Sequence, residues 1–121
     1  MASGTSRAAT GEPQRRIRHA LAHWEATCFV HWKRHCAERL LKEFDQTRYS
    51  QKDIARLMHE YVEAGGEVRE QDETSGEYDE DVWYSVVLTL DGTEQFIKFV
   101  LRPDEPDEPG IVIVRFHVQQ R

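Results

Sequence analysis

VWYSVVLTLDGTEQFIKFVL, residues 82–101, sets the fold class. From Val82 to Leu90 the chain alternates. Val82, Tyr84, Val86, Leu88 and Leu90 share one side, opposite Trp83, Ser85, Val87 and Thr89. Asp91-Gly92 follows, and both residue types tolerate the positive φ that a two-residue hairpin loop requires. The spacing then predicts a return strand over about 94–101, with Phe96, Lys98 and Val100 on one side and Ile97, Phe99 and Leu101 on the other. Two such strands are not stable alone, so partners must come from the flanking chain.

Downstream, RPDEPDEPG (102–110) carries three prolines and four acids and reads as a solvated loop. IVIVRFHV (111–118) is a further strand. Read as an unbroken alternation, it puts Ile111, Ile113, Arg115 and His117 on one side and Val112, Val114, Phe116 and Val118 on the other. An all-apolar row beside a mixed one predicts helices over one face of a sheet and a half-open second face. Upstream, EVREQ (67–71) is short and polar, the character of an edge strand, and residues 72–81 hold six acids and read as an exposed loop.

Further upstream the period becomes helical. In SQKDIARLMHEYVEAGG (50–66), Ser50 and Asp53 have the spacing of a capping box. Ile54, Leu57, Met58, Tyr61 and Val62 form one stripe, and Gly65 or Gly66 can end the helix. Cys36, Leu40 and Phe44, widened by Leu41, make a second stripe over 33–44. Ile17, Leu21 and Trp24 make a third after Pro13. Residues 27–32, TCFVHW, suit either a short strand or a junction between helices. The expected architecture is a single α+β domain over 13–121, behind a flexible leader over 1–12. Its N-terminal helices pack on a C-terminal antiparallel sheet of about four strands.

At 121 residues, with 39% hydrophobic and 31% charged, the chain is sized and composed for one folded domain. No apolar run approaches a bilayer span and the opening lacks an apolar signal region, so a cytoplasmic protein without membrane contact is expected. Cys28 and Cys36, eight apart, suit two reduced thiols. The net charge of -6 is unevenly spread. Residues 1–44 hold eight Lys/Arg against four Asp/Glu, and residues 45–121 hold eight against eighteen. Such a balance argues against a general nucleic-acid binder but leaves room for a local basic patch, or for a basic partner on the acidic side.

His19/His23 and His31/His35 are each four apart and would share a face wherever their segments are helical. Neither pair completes a metal site, so no metal or cofactor is expected. Neither acidic loop has a calcium-binding spacing, and no phosphate loop or nucleophile elbow occurs. Trp24, Trp32 and Trp83 read as core or interface residues. The candidate chemistry lies in His35, Arg39, Lys98, Arg115 and His117. Cations hold a phosphate and stabilise its added charge while an imidazole moves the 2′-hydroxyl or leaving-group proton, which is metal-independent RNA cleavage.

HWKRHCAERLLKEF (31–44), YSQKDIARLMHEYVEAGGEV (49–68) and IVIVRFH (111–117) together resemble small toxin-like domains of the BrnT/RelE type, over roughly residues 29–118. The resemblance implies a ribonuclease, free or ribosome-dependent, neutralised by a small partner protein. His35 and Arg39 would stand on the helix, with Ala37 as a displaced small residue, and Arg115 and His117 on the last strand. Toxins of this type are commonly basic. An acidic relative can keep the scaffold as a non-catalytic binding module that engages a basic partner.

Overall fold

The 82–101 stretch forms the centre of the sheet in a computed structural model that describes residues 6–25, 29–45, 47–72, 82–102 and 110–119. In chain order the elements are β1 (Ser6–Ala8), α1 (Gly11–Ala22), β2 (Val30–Trp32), α2 (Arg34–Glu43), α3 (Gln51–Glu63), β3 (Arg69–Asp72), β4 (Val82–Leu90), β5 (Thr93–Leu101) and β6 (Ile111–Val118). The protein is α+β, and its one sheet has the order β1-β3-β4-β5-β6-β2.

The hairpin matches its expected form. Asp91 and Gly92 take φ of 52° and 81°, the positive pair that lets a two-residue turn follow the twist of its strands. Arg48 and the Tyr49 hydroxyl both bind the Asp91 carboxylate, at 2.9 and 3.2 Å, and tie the turn to the loop before α3.

Three details differ from the sequence expectation. The sheet has six strands rather than about four, because two three-residue segments add its edges. Residues 1–12 are not uniformly a leader: Ser6–Ala8 pairs with β3, which makes the 67–71 region the second strand rather than the edge, and α1 begins at Gly11. Val30–Trp32 is a strand, and it runs parallel to β6, so the sheet is mixed rather than purely antiparallel. Asp72, expected to open an exposed loop over 72–81, instead ends β3. The rest of that loop (73–81), residues 103–109 of the loop expected over 102–110, and Cys28 lie outside the described residues.

A bulge in β6 revises its faces. Phe99 pairs with Ile113 while Lys98 pairs with Arg115, so Val114 is an extra residue and the alternation shifts by one. Ile111, Ile113 and Phe116 therefore join the main core, whereas Val112 and Val114 belong to a smaller cluster with Val100 and Trp83. The all-apolar row predicted over Val112–Val118 does not exist as one row.

The main core lies between the sheet and the helices. Ile17 and Leu21 of α1, Cys36 and Leu40 of α2, and Ile54 and Met58 of α3 meet Tyr84, Val86, Ile97 and Phe99. Each large apolar side chain fully buried here contributes about 1.5–3 kcal/mol relative to exposure. The capping box of α3 forms in both directions. Asp53 N–H donates to Ser50 Oγ at 3.2 Å, and Ser50 N–H donates to the Asp53 carboxylate at 2.9 Å. That backbone donor, with the Ser50 hydroxyl and then Arg56, holds the Asp53 carboxyl below its usual range. At the other end Gly65 takes φ of 92°, and Gly66 packs so closely on Tyr61 that a Cβ would stand 2.6 Å from it.

Candidate functional site

The second face of the sheet carries the residues of chemical interest. Register sets Lys98 of β5 beside Arg115 of β6 and Phe96 beside His117. On the far side of β5, Ser85 of β4 is the partner of Lys98. The rings of Phe96 and His117 stack with centroids 5.0 Å apart, and Trp83 meets Phe96 edge-on at 6.4 Å. Lys98 Nζ lies 4.4 Å from the Trp83 ring centroid, within range of a cation–π attraction. A row of rings thus crosses three adjacent strands, with Lys98 over its first ring and Arg115 opposite Lys98 in register. Trp83, Phe96, Lys98, Arg115 and His117 are half-buried, whereas Ser85 and the neighbouring Val100, Val112 and Val114 are buried.

The five candidate residues fall into two groups with Arg115 between them. Lys98 and His117 stand in the row just described. His117 Nδ1 donates to the Val118 carbonyl at 2.8 Å, which leaves Nε2 as the nitrogen able to exchange a proton with a ligand. His35 belongs to the α2 side, where its Nε2 donates to the Val114 carbonyl at 3.0 Å. Arg115 Nη1 donates to the same oxygen at 3.2 Å, so the bulge carbonyl joins a helix residue to a strand residue.

Arg39 lies apart from the row, between α2 and the covered face. Its guanidinium donates to Glu43 at 2.7 Å and to Gln95 Oε1 at 3.1 Å, and sits 4.5 Å from the Phe116 centroid. The side chain is 17% exposed, and Gln95 is 3% exposed. These contacts satisfy a buried amide and fasten α2 to the sheet. Arg39 therefore has a local structural role that accounts for its position.

Cys36 sits within this α2 seam, with Sγ 3.4 Å from His35 Nε2. Burial pushes its thiol up to about 11, against an opposite pull from Arg115 and Arg39. It stays protonated at neutral pH and is no nucleophile there.

The other histidines divide as well. His19, on α1, and His23, just past its end, do come together, with rings 4.6 Å apart and His23 stacked on Phe29. His31 and His35 do not share a helix, since His31 is on β2. Among the described residues no group of three or more His, Cys, Asp or Glu side chains could hold a metal ion, and no helix is long and apolar enough to cross a membrane. An open cleft of about 540 Å³ lies along α1 and the end of α3, lined by Arg15, Arg18, His19 and Glu63 among others. Arg18 and Glu63 close on each other there in a paired contact at 3.0 and 3.1 Å, and none of the five candidates reaches it.

The sequence pattern puts Phe96, Lys98 and Val100 on one side of β5 but assigns Phe96 no role, and Trp83 only a core or interface one. Their signal was the alternation itself: each is a large aromatic on the same side of its strand as a polar or charged residue. Comparison with known proteins finds no matching family model, no matching curated protein and no matching solved structure.

Proposed function

We propose that this protein is an RNA-binding module that works through the half-open face of its sheet. The observation that carries the reading is the row Trp83–Phe96–His117, with Lys98 over the Trp83 ring and Arg115 opposite Lys98 in cross-strand register. Cations attract the phosphate backbone, and rings offer surface to bases. Only a local patch can act this way in a chain of net charge -6.

Cleavage of the bound RNA is the second reading, supported by His117 standing in the ring row two residues from Arg115 on β6. It loses Arg39 to the α2 contact, so fewer groups are available to surround one phosphate. A basic protein partner draws its support from the acids of 73–81 and 103–109, which lie outside the described residues.

The deciding experiment measures RNA retention and RNA integrity together, with and without ribosomes, for wild type, Arg115→Ala and His117→Ala. The expected result is retention of intact RNA by wild type, weakened in both variants. Two neutralised phosphates would give a shallow salt dependence, with a slope of roughly -1.4 in log–log form for a single strand. Shortened RNA with wild type but not with His117→Ala would establish cleavage. No retention and no cleavage would remove the RNA reading.

A further inference from the structure

The composition of the half-open face narrows the ligand further. We infer that it is a single strand whose unpaired bases stack on the Trp83–Phe96–His117 row, with the backbone phosphates passing Lys98 and Arg115. This inference rests on the RNA-binding reading above. Three observations favour a single strand over a duplex.

First, the row runs across β4, β5 and β6, with ring centroids 6.4 and 5.0 Å apart. Bases inside a duplex are already stacked on each other and cannot use such a surface, whereas unpaired bases can. Second, the face is a sheet surface, and the deep, narrow major groove of an RNA duplex excludes protein side chains from its base edges. Third, charge is scarce. A duplex binder depends on many phosphate contacts, and a chain of net charge -6 opposes long-range attraction. Two cations cannot carry that load, so short-range stacking must supply most of the affinity. Stacking is worth roughly tenfold or more per base and discriminates little between bases.

Lys98 strengthens the assignment. Its ammonium lies over the Trp83 ring, 4.4 Å from the centroid, so a cation and an aromatic surface occur at one point of the row. Arg115 is its cross-strand neighbour. A phosphate at Lys98 would lie beside the rings that take its base.

The test is fluorescence anisotropy with a labelled twelve-residue oligouridylate and with a twelve-base-pair RNA duplex, using the full chain. Wild type is expected to bind the single strand at least about tenfold more tightly than the duplex. Phe96→Ala and Trp83→Ala should each weaken the single strand by about tenfold, while Trp83→Phe, which keeps a ring, should lose much less. Circular dichroism and urea unfolding of each variant separate a lost contact from a lost fold. Equal or tighter duplex binding would overturn the inference and leave RNA binding standing. So would folded Phe96→Ala and Trp83→Ala proteins that bind like wild type while Arg115→Ala does not. Failure of wild type to bind either RNA would remove the RNA-binding reading itself.

Discussion

Phe99 and Phe96 lie three residues apart on one strand, yet they stand on opposite faces of the sheet. Phe99 is fully buried under the helices and stacked on Tyr84 at 5.8 Å. Phe96 is half-buried and flanked by Trp83 and His117. The covered face is filled by Ile, Leu, Val and Phe from helices and strands alike, and its few polar groups are paired internally, as Arg39 and Gln95 are. The other face mixes aliphatic, aromatic and cationic side chains, a composition suited to contact with something outside the domain. The same residue type thus serves stability on one face and, in the proposed reading, recognition on the other, and what decides is the layer packed above it.

The largest expected effect breaks this contrast if it is false. Phe99→Ala should destabilise the protein by about 3–5 kcal/mol, through lost transfer energy and a cavity. Phe96→Ala should destabilise it by about 1 kcal/mol or less, since partial exposure leaves less to lose. Urea unfolding midpoints with unchanged slopes would measure both. Equal losses would make the second face another core.

Arg39→Ala is next, at about 1–3 kcal/mol, because the Gln95 amide loses its partner and Phe116 loses its cation. Its retention of RNA should match wild type, whereas Arg115→Ala should lose retention with little change in stability. The reverse pattern would move the binding surface to the α2 seam.

A smaller effect concerns the α3 cap. Ser50→Ala should cost about 1 kcal/mol. The Asp53 carboxyl is held below its ordinary value by the Ser50 backbone N–H first. Its contribution is therefore present above the unfolded value, about 3.9, and is lost as pH falls through the lower folded value. The stability difference between wild type and Asp53→Asn should accordingly shrink below about pH 4 in urea titrations. A difference constant from pH 7 to pH 3 would show that the carboxylate's charge is irrelevant to the cap.

The smallest effect is an absence of reaction. In a Cys28→Ser background, Cys36 should resist iodoacetamide at pH 7, being 1% exposed and protonated until about pH 11. Mass spectrometry after timed exposure would detect labelling. Rapid modification of native protein would mean that α2 lifts from the sheet, and the seam could no longer count as part of the closed face.

Local features were the legible ones. Strand β4 matches residues 82–90 because nine alternating residues leave little choice, and the α3 cap follows from two side chains three positions apart. The short strands β1 and β2 were not legible in the same way. Three residues cannot display a period, and their partners lie some sixty and eighty positions along the chain. The site was partly legible: Arg115, His117 and Lys98 do lie in adjacent strands with Lys98 and Arg115 in register. The contacts of Arg39 with Gln95 and Phe116 were not legible, because those partners are brought to it only by folding.

The sequence by itself determined the helical and extended periods, the hairpin turn, the α3 cap and the residue types available for contact, since each depends on neighbours along the chain. Tertiary structure alone decided the two edges of the sheet, the bulge at Val114 and the meeting of Phe96 with His117. Cross-strand register is a relation between distant segments, and one inserted residue in β6 reverses which side chains share a face without leaving a mark in the local pattern.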